Sequence, residues 1–186
     1  MNQPDKFTPG TILDFWFSAD MQTRWFSSTP ELDRSIRERF EGLWRKAVAG
    51  RLDTWKNTPE GCLALVIVLD QLPLNMFRGQ ALGFSSEQQA VQITRYALEK
   101  GYHQRIPSER LGFLYIPLMH SENPDDQDLS VQLFEAPGLA SNLRWARHHR
   151  DLIRRFGRFP HRNAILGRES SMEEIEYLNS TEAFKG

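Results

Sequence analysis

Apolar side chains fall at Leu32, Ile36, Phe40, Leu43 and Ala47, spaced by four, four, three and four positions. That spacing puts them on one stripe of a helix. Thr29-Pro30-Glu31 opens the helix: Thr caps, Pro suits the first helical position, and Glu suits the positive end of the dipole. Gly50 supplies its stop. The same start recurs at Thr58-Pro59-Glu60, followed by an unbroken apolar run from Cys62 to Leu69. Periodicity leaves buried helix and buried strand open for such a run, and the Thr-Pro-Glu start selects helix, ending near Leu72 before Pro73. A helix that is apolar on every side belongs at the centre of the fold.

Downstream, Ser85 with Gln88 reads as a capping box ahead of a stripe of Ala90, Ile93, Ala97 and Leu98 that ends at Gly101. Ser108 opens a helix bearing Leu111, Leu114, Tyr115, Leu118 and Met119, which Pro117 is expected to kink or break close to His120. Helices over 126–135 and 139–156 follow, and Ser171 with Glu174 caps a last short one carrying Ile175 and Leu178. Trp16, Phe17, Trp25 and Phe26 read as packing anchors. No strand alternation appears, and no Gly-, Ser- or Pro-rich linker divides the chain. The pattern predicts an all-α fold in a single domain over residues 1–186, with 1–6 as a flexible tail. Stacked helical hairpins would form either a tetratricopeptide-like right-handed superhelix or a compact bundle, which pattern alone does not separate. The Trp-x2-Leu-Gly-x2-Tyr signature of a standard tetratricopeptide repeat is absent.

Composition narrows the function classes. The 186 residues are 40% hydrophobic and carry 23 basic against 24 acidic side chains, a net charge of −1. That is a globular composition without the basic excess of a whole-surface nucleic-acid binder. No apolar run approaches the roughly 20 residues of a membrane helix, and the first ten residues lack the apolar centre of a secretory signal. One cysteine, Cys62, excludes an internal disulfide and any multi-cysteine metal site, and it reads as inert core. The expected setting is the cytoplasm, with no membrane and no nucleic-acid partner. P-loop, dinucleotide-binding, His-Glu-x2-His and Gly-x-Ser-x-Gly motifs are all missing.

Charge placement is the main anomaly. Residues 141–168 hold eight arginines, no lysine and one acid, Asp151, together with His148, His149 and His161. Residues 122–135 hold five acids and no base. Guanidinium groups offer a planar fork to carboxylate or phosphate. Three readings stay open: the arginines pair internally with the acidic stretch before them and the acidic tail after Arg168, they hold an anionic ligand, or they stand as surface charge without partners. Helical phase places His149 inside the arc of Ala146, Ile153 and Phe156, facing inward as a core or pocket histidine, with His148 turned outward. Gly157 and Pro160 end that helix, and Asn163 opens a short run whose backbone N–H groups would join Arg155, Arg158, Arg162 and Arg168 around an anion. His120-Ser121-Glu122 could orient a proton transfer, or bind a metal with His149 or His161. The leading reading assigns no metal and no cofactor. Asp70 and Gln71 end the apolar helix, with Asn75 and Arg78 after it, so these polar groups need partners in a turn network or a site.

In order along nearly the whole chain, Asp14-Phe15-Trp16-Phe17, Trp25-Phe26, Leu69-Asp70-Gln71-Leu72-Pro73, Asn75, Phe77-Arg78-Gly79, Pro117 through Glu122, Gln127 and His149 through Arg168 resemble the bacterial domain-of-unknown-function 924 family. The resemblance implies an all-α, tetratricopeptide-like fold and no particular activity. Leu74 stands where that family usually has Arg, and Glu87 near where it often has Asp. The residues thus point to a pocket for a small anionic ligand, walled by 70–78, 120–122, His149 and 155–168. Arg158 and Arg162 would hold the anion, His149 or His161 would move a proton, and Glu122 would orient the imidazole. Hydrolysis, or acyl or phosphoryl chemistry, suits such a set. The alternative is a helical module that binds an acidic peptide or protein without catalysis.

Overall fold

In the computed structural model, residues 7–25 and 27–184 are described. The tail at 1–6 and the Phe26 anchor fall outside them. Helices are the regular structure of the described residues, with no strand among them. The elements are α1 (Pro9–Trp16), α2 (Ala19–Gln22), α3 (Pro30–Val48), α4 (Pro59–Val66), α5 (Leu72–Met76), α6 (Glu87–Glu99), α7 (Ser108–His120), α8 (Pro124–Phe134), α9 (Ala140–Phe156) and α10 (Met172–Leu178). Among the described residues no helix is long and apolar enough to cross a membrane.

The helix starts follow local chemistry. The Thr29 and Thr58 side chains accept the backbone N–H three residues on, each with proline next in line. Ser171 and Glu174 form a reciprocal capping box. α3 ends in a Schellman motif: Gly50, at φ 71°, donates to the Ala47 carbonyl and Arg51 donates to that of Lys46. Ser85 and Gln88 form no capping box. α6 starts at Glu87, and the hydroxyl of its N-cap residue, Ser86, turns inward to the Leu69 carbonyl at 2.6 Å.

α4 is the central helix, with every residue from Gly61 to Val66 buried. It packs on α1, α6 and α7, while α3 packs on α5, α6 on α7, α7 on α8 and α8 on α9. A Cβ at Gly61 would lie 1.9 Å from the Trp55 carbonyl oxygen, so only glycine permits this approach. The apolar helix does not stop before Pro73. It widens into a π-helical turn, Ile67–Gln71, and runs on into α5. The wider turn makes room for the proline ring, and Ser86 supplies the donor that Pro73 withholds from Leu69. Likewise α7 passes through Pro117 unbroken to His120. Pro117 lies one turn from the end, and the Thr94 hydroxyl donates to the neighbouring Leu114 carbonyl at 2.8 Å. Beyond the main core, Leu152, Ile153, Phe159 and Tyr177 form a second apolar cluster that seats the segment after α9.

Candidate functional site

The π-helical turn places Asp70 at the heart of the molecule, with 0% of the residue exposed. Single π turns recur at functional sites because they re-aim side chains within a helix. The Gln71 amide donates to one Asp70 oxygen, and the other faces His120 Nδ1 at 3.0 Å.

His120 is the last residue of α7, where carbonyls lack helical donors. The buried Gln127 amide donates to Met119 and Ser121 carbonyls at 2.8 and 2.6 Å, closing that end. Ser121 Oγ donates to buried Asp126 at 2.6 Å, and Asp126 also accepts from Arg95. These contacts fix the backbone on both sides of the imidazole. Burial pulls the His120 pKa down, but the Asp70 charge and hydrogen bond, with Glu87, outweigh both burial and Arg162 and leave it raised.

Glu87 opens α6, and Arg162 ends a short 3₁₀ turn, Pro160–Arg162. Arg162 Nη1 and Nη2 donate to the two Glu87 oxygens at 2.9 and 3.1 Å. The guanidinium packs on the rings of Phe84 and Phe159, 4.6 and 4.7 Å from their centroids. Burial raises the Glu87 carboxyl to about 7, against the pull of Arg162 and His120 and with the Asp70 charge adding to the rise. A groove of about 300 Å³ opens over this pair, lined by Phe84, Glu87, Ser121, Glu122, Arg162 and Leu166 among others. Glu87 and Arg162 line this groove, a donor atom of His120 lies within 4.8 Å of one on Glu87, and Asp70 sits against His120 with no exposure.

One donor atom each from Asp70, Glu87 and His120 lies within 4.8 Å of the others, close enough to share a metal ion. A dication there would share a buried space with the guanidinium charge of Arg162. The donor set fits an ion in spacing, and Arg162 already offsets one of its two carboxylates.

The other residues singled out from sequence lie around this centre in different roles. Glu122 meets no imidazole. Its oxygens accept from Arg168 at 2.8 and 3.0 Å and from the Phe159 N–H at 2.8 Å, and its pKa is lowered because those bonds outweigh burial. Arg168 also donates to the Phe159 carbonyl and to Asn163, whose amide donates to Ser170, so Glu122, Arg168 and Asn163 together shape the 157–168 loop. Arg158 is held by Glu174 and Arg155 by Glu173, rather than facing the groove. Asn75 and Arg78 both donate to Asp33, tying the turn after α5 to the start of α3. His149 faces inward as its helical phase requires, and its Nδ1 donates to the Trp145 carbonyl at 2.8 Å. The ring of Phe184 packs on His149, His161 and His148 at 4.7, 5.0 and 6.0 Å between centroids. Burial leads in holding both His149, at about 3, and His161, at about 4, in the neutral form.

The arginine-rich segment is thus largely neutralised within the fold. Arg147, Arg150, Arg154, Arg155, Arg158, Arg162 and Arg168 each meet a carboxylate, and Arg144 lies over the Trp145 ring. Their partners come from 122–135, from Asp151, from Glu173 and Glu174, and from Glu87. Glu87 and Ser86 are the members that local sequence reading does not single out. An acid in a first turn ordinarily reads as a partner of the helix dipole, and the one signal was its place near a family Asp.

The family model described as "Bacterial protein of unknown function (DUF924)" matches residues 12–182. The solved structure of a protein of unknown function from Agrobacterium tumefaciens superposes with a TM-score of 0.84 at 34% identity, over 92% of this chain and 96% of that one. None of the curated proteins matches the chain.

Proposed function

The chain belongs to the DUF924 family of bacterial proteins of unknown function, and we propose that it binds a small anionic substrate beside Arg162 and hydrolyses it by acid–base catalysis through His120 and Glu87. One observation carries this reading: a fully buried Asp70 carboxylate holds His120 Nδ1 at 3.0 Å, and both groups have donor atoms within 4.8 Å of Glu87, whose pair with Arg162 lines a groove. With its proton directed to Asp70, the neutral imidazole presents Nε2 as the base that takes a proton from water. Asp70 is a positioning residue, fixing tautomer and ring. Glu87, whose pKa of about 7 keeps a protonated fraction at neutral pH, is the donor to the leaving atom. Two ionisable groups set to different roles in one buried site are what acid–base hydrolysis needs. The groove, about 300 Å³, is at the small end of ligand sites and suits a metabolite-sized molecule. A module for acidic peptides would draw on outward, unpartnered arginines, and those of 147–168 carry carboxylate partners.

The test is turnover of a panel of phosphate monoesters, carboxylic esters and amides in chelator-treated buffer. His120→Gln and Glu87→Gln should each lower kcat by about 100-fold or more, the usual range for removing a general acid or base. Activity that survives both substitutions, or that appears only on adding a divalent metal, refutes the acid–base assignment.

A further inference from the structure

Building on the anion-site reading, we propose that the ligand is an oxyanion that enters together with a proton: it takes both terminal nitrogens of Arg162 from Glu87, and Glu87 is left as the neutral acid. The geometry favours the exchange. Both Arg162 terminal nitrogens are engaged by the two Glu87 oxygens at 2.9 and 3.1 Å, so an incoming carboxylate or phosphate that takes this Nη1–Nη2 face displaces the Glu87 carboxylate. The side-on face is closed to the groove, because Nε is buried, without a partner among the described residues. The guanidinium also packs on the rings of Phe84 and Phe159. An oxyanion therefore binds in the place of the Glu87 carboxylate, presenting two oxygens to the same bidentate donor.

Displacement leaves Glu87 in a different electrostatic position. Three charged or titratable groups face it: Arg162 from the loop, His120 from the end of α7 and Asp70 from the π turn. Glu122, which lines the same groove, is already paired with Arg168. Once the ligand holds Arg162, buried Glu87 keeps the Asp70 carboxylate as a neighbour and loses its bidentate cation. A buried carboxylate in that position takes up a proton rather than remain ionised. One anion and one proton enter together, so net charge at the site is conserved for a monoanion such as acetate, and the proton arrives on the group that the hydrolytic reading uses as its acid.

The experiment is calorimetric titration of the full chain with sulfate and, separately, acetate, at constant ionic strength from pH 6 to 8.5. Neither probe titrates near neutrality, and the two separate a phosphate-like from a carboxylate-like preference. Repeating each titration in buffers of different ionisation enthalpy counts the protons. The expected result is uptake approaching one proton per anion above pH 7.5, with affinity falling about tenfold per pH unit there. Glu87→Gln, checked for folding by circular dichroism, should bind the same anion with little pH dependence and at least tenfold more tightly at pH 8.5. Binding without proton uptake overturns the exchange while leaving an anion site standing. No binding of either anion by the wild type at pH 6 overturns both. The proton count on the wild type decides the question even if the variant fails to fold.

Discussion

Ser86 Oγ donates to the Leu69 carbonyl at 2.6 Å and accepts from Trp44 Nε1 at 2.9 Å, so one hydroxyl joins α3, α6 and the π turn that carries Asp70. The acceptor exists because Pro73, four residues after Leu69, has no N–H to give it. Ser86→Ala strands two buried polar groups. Each orphaned group costs about 1–3 kcal/mol, so a loss of at least 2 kcal/mol is expected in urea unfolding. A change below about 0.5 kcal/mol would show that water or a shifted turn replaces the hydroxyl.

Gly61→Ala tests the packing of the central helix. The added methyl would sit 1.9 Å from a backbone oxygen, which no side-chain rotation relieves. Overpacking against the backbone should cost about 3 kcal/mol or more, read as a fall in urea midpoint at unchanged slope. A variant as stable as wild type would mean that the Trp55 turn yields freely.

What was legible in the sequence was local. Thr29, Thr58, Ser171 and Glu174 act within four residues of themselves, and their caps are as the pattern implies. The inward phase of His149 is likewise a property of one helix. The site is made of pairs that spacing does not encode: His120 reaches back 50 residues to Asp70, and Arg162 reaches back 75 to Glu87. A sequence shows that Arg158 and Arg168 need acidic partners without saying that Glu174 and Glu122 are those partners. The same limit hid Ser86. Its residue type and position fit a helix cap, and only the fold brings a proline-orphaned carbonyl to it.

Asp70→Asn should lower the pKa of His120. The Asp70 charge and its hydrogen bond counter burial, and an amide removes the charge while keeping a similar shape. Histidine resonances followed by NMR across pH 4–9 give the value directly. If the imidazole titrates unchanged in the variant, Asp70 does not set its protonation, and the positioning role assigned to it fails.

The histidines under Phe184 give the protein an acid limit. His149 and His161 are held neutral, at about 3 and about 4, chiefly by burial. In the unfolded chain both titrate near the ordinary histidine value of about 6.5. As pH falls below that value the unfolded state binds protons that the folded state refuses. Stability from these two groups is therefore complete above about 6.5 and is lost progressively down to their folded pKa values, by up to about 1.4 kcal/mol per pH unit for each proton. Phe184→Ala removes the ring that packs on both imidazoles and lets water reach them. Their folded pKa values should rise towards 6.5, and the fall in melting temperature between pH 6.5 and 4 should become shallower than in the wild type. The variant starts from a lower stability at pH 7, because an aromatic contact is lost, so the slope and not the absolute temperature is diagnostic. An equal slope in the two proteins would place the burial of these histidines in α9 and Phe159 rather than in the C-terminal segment.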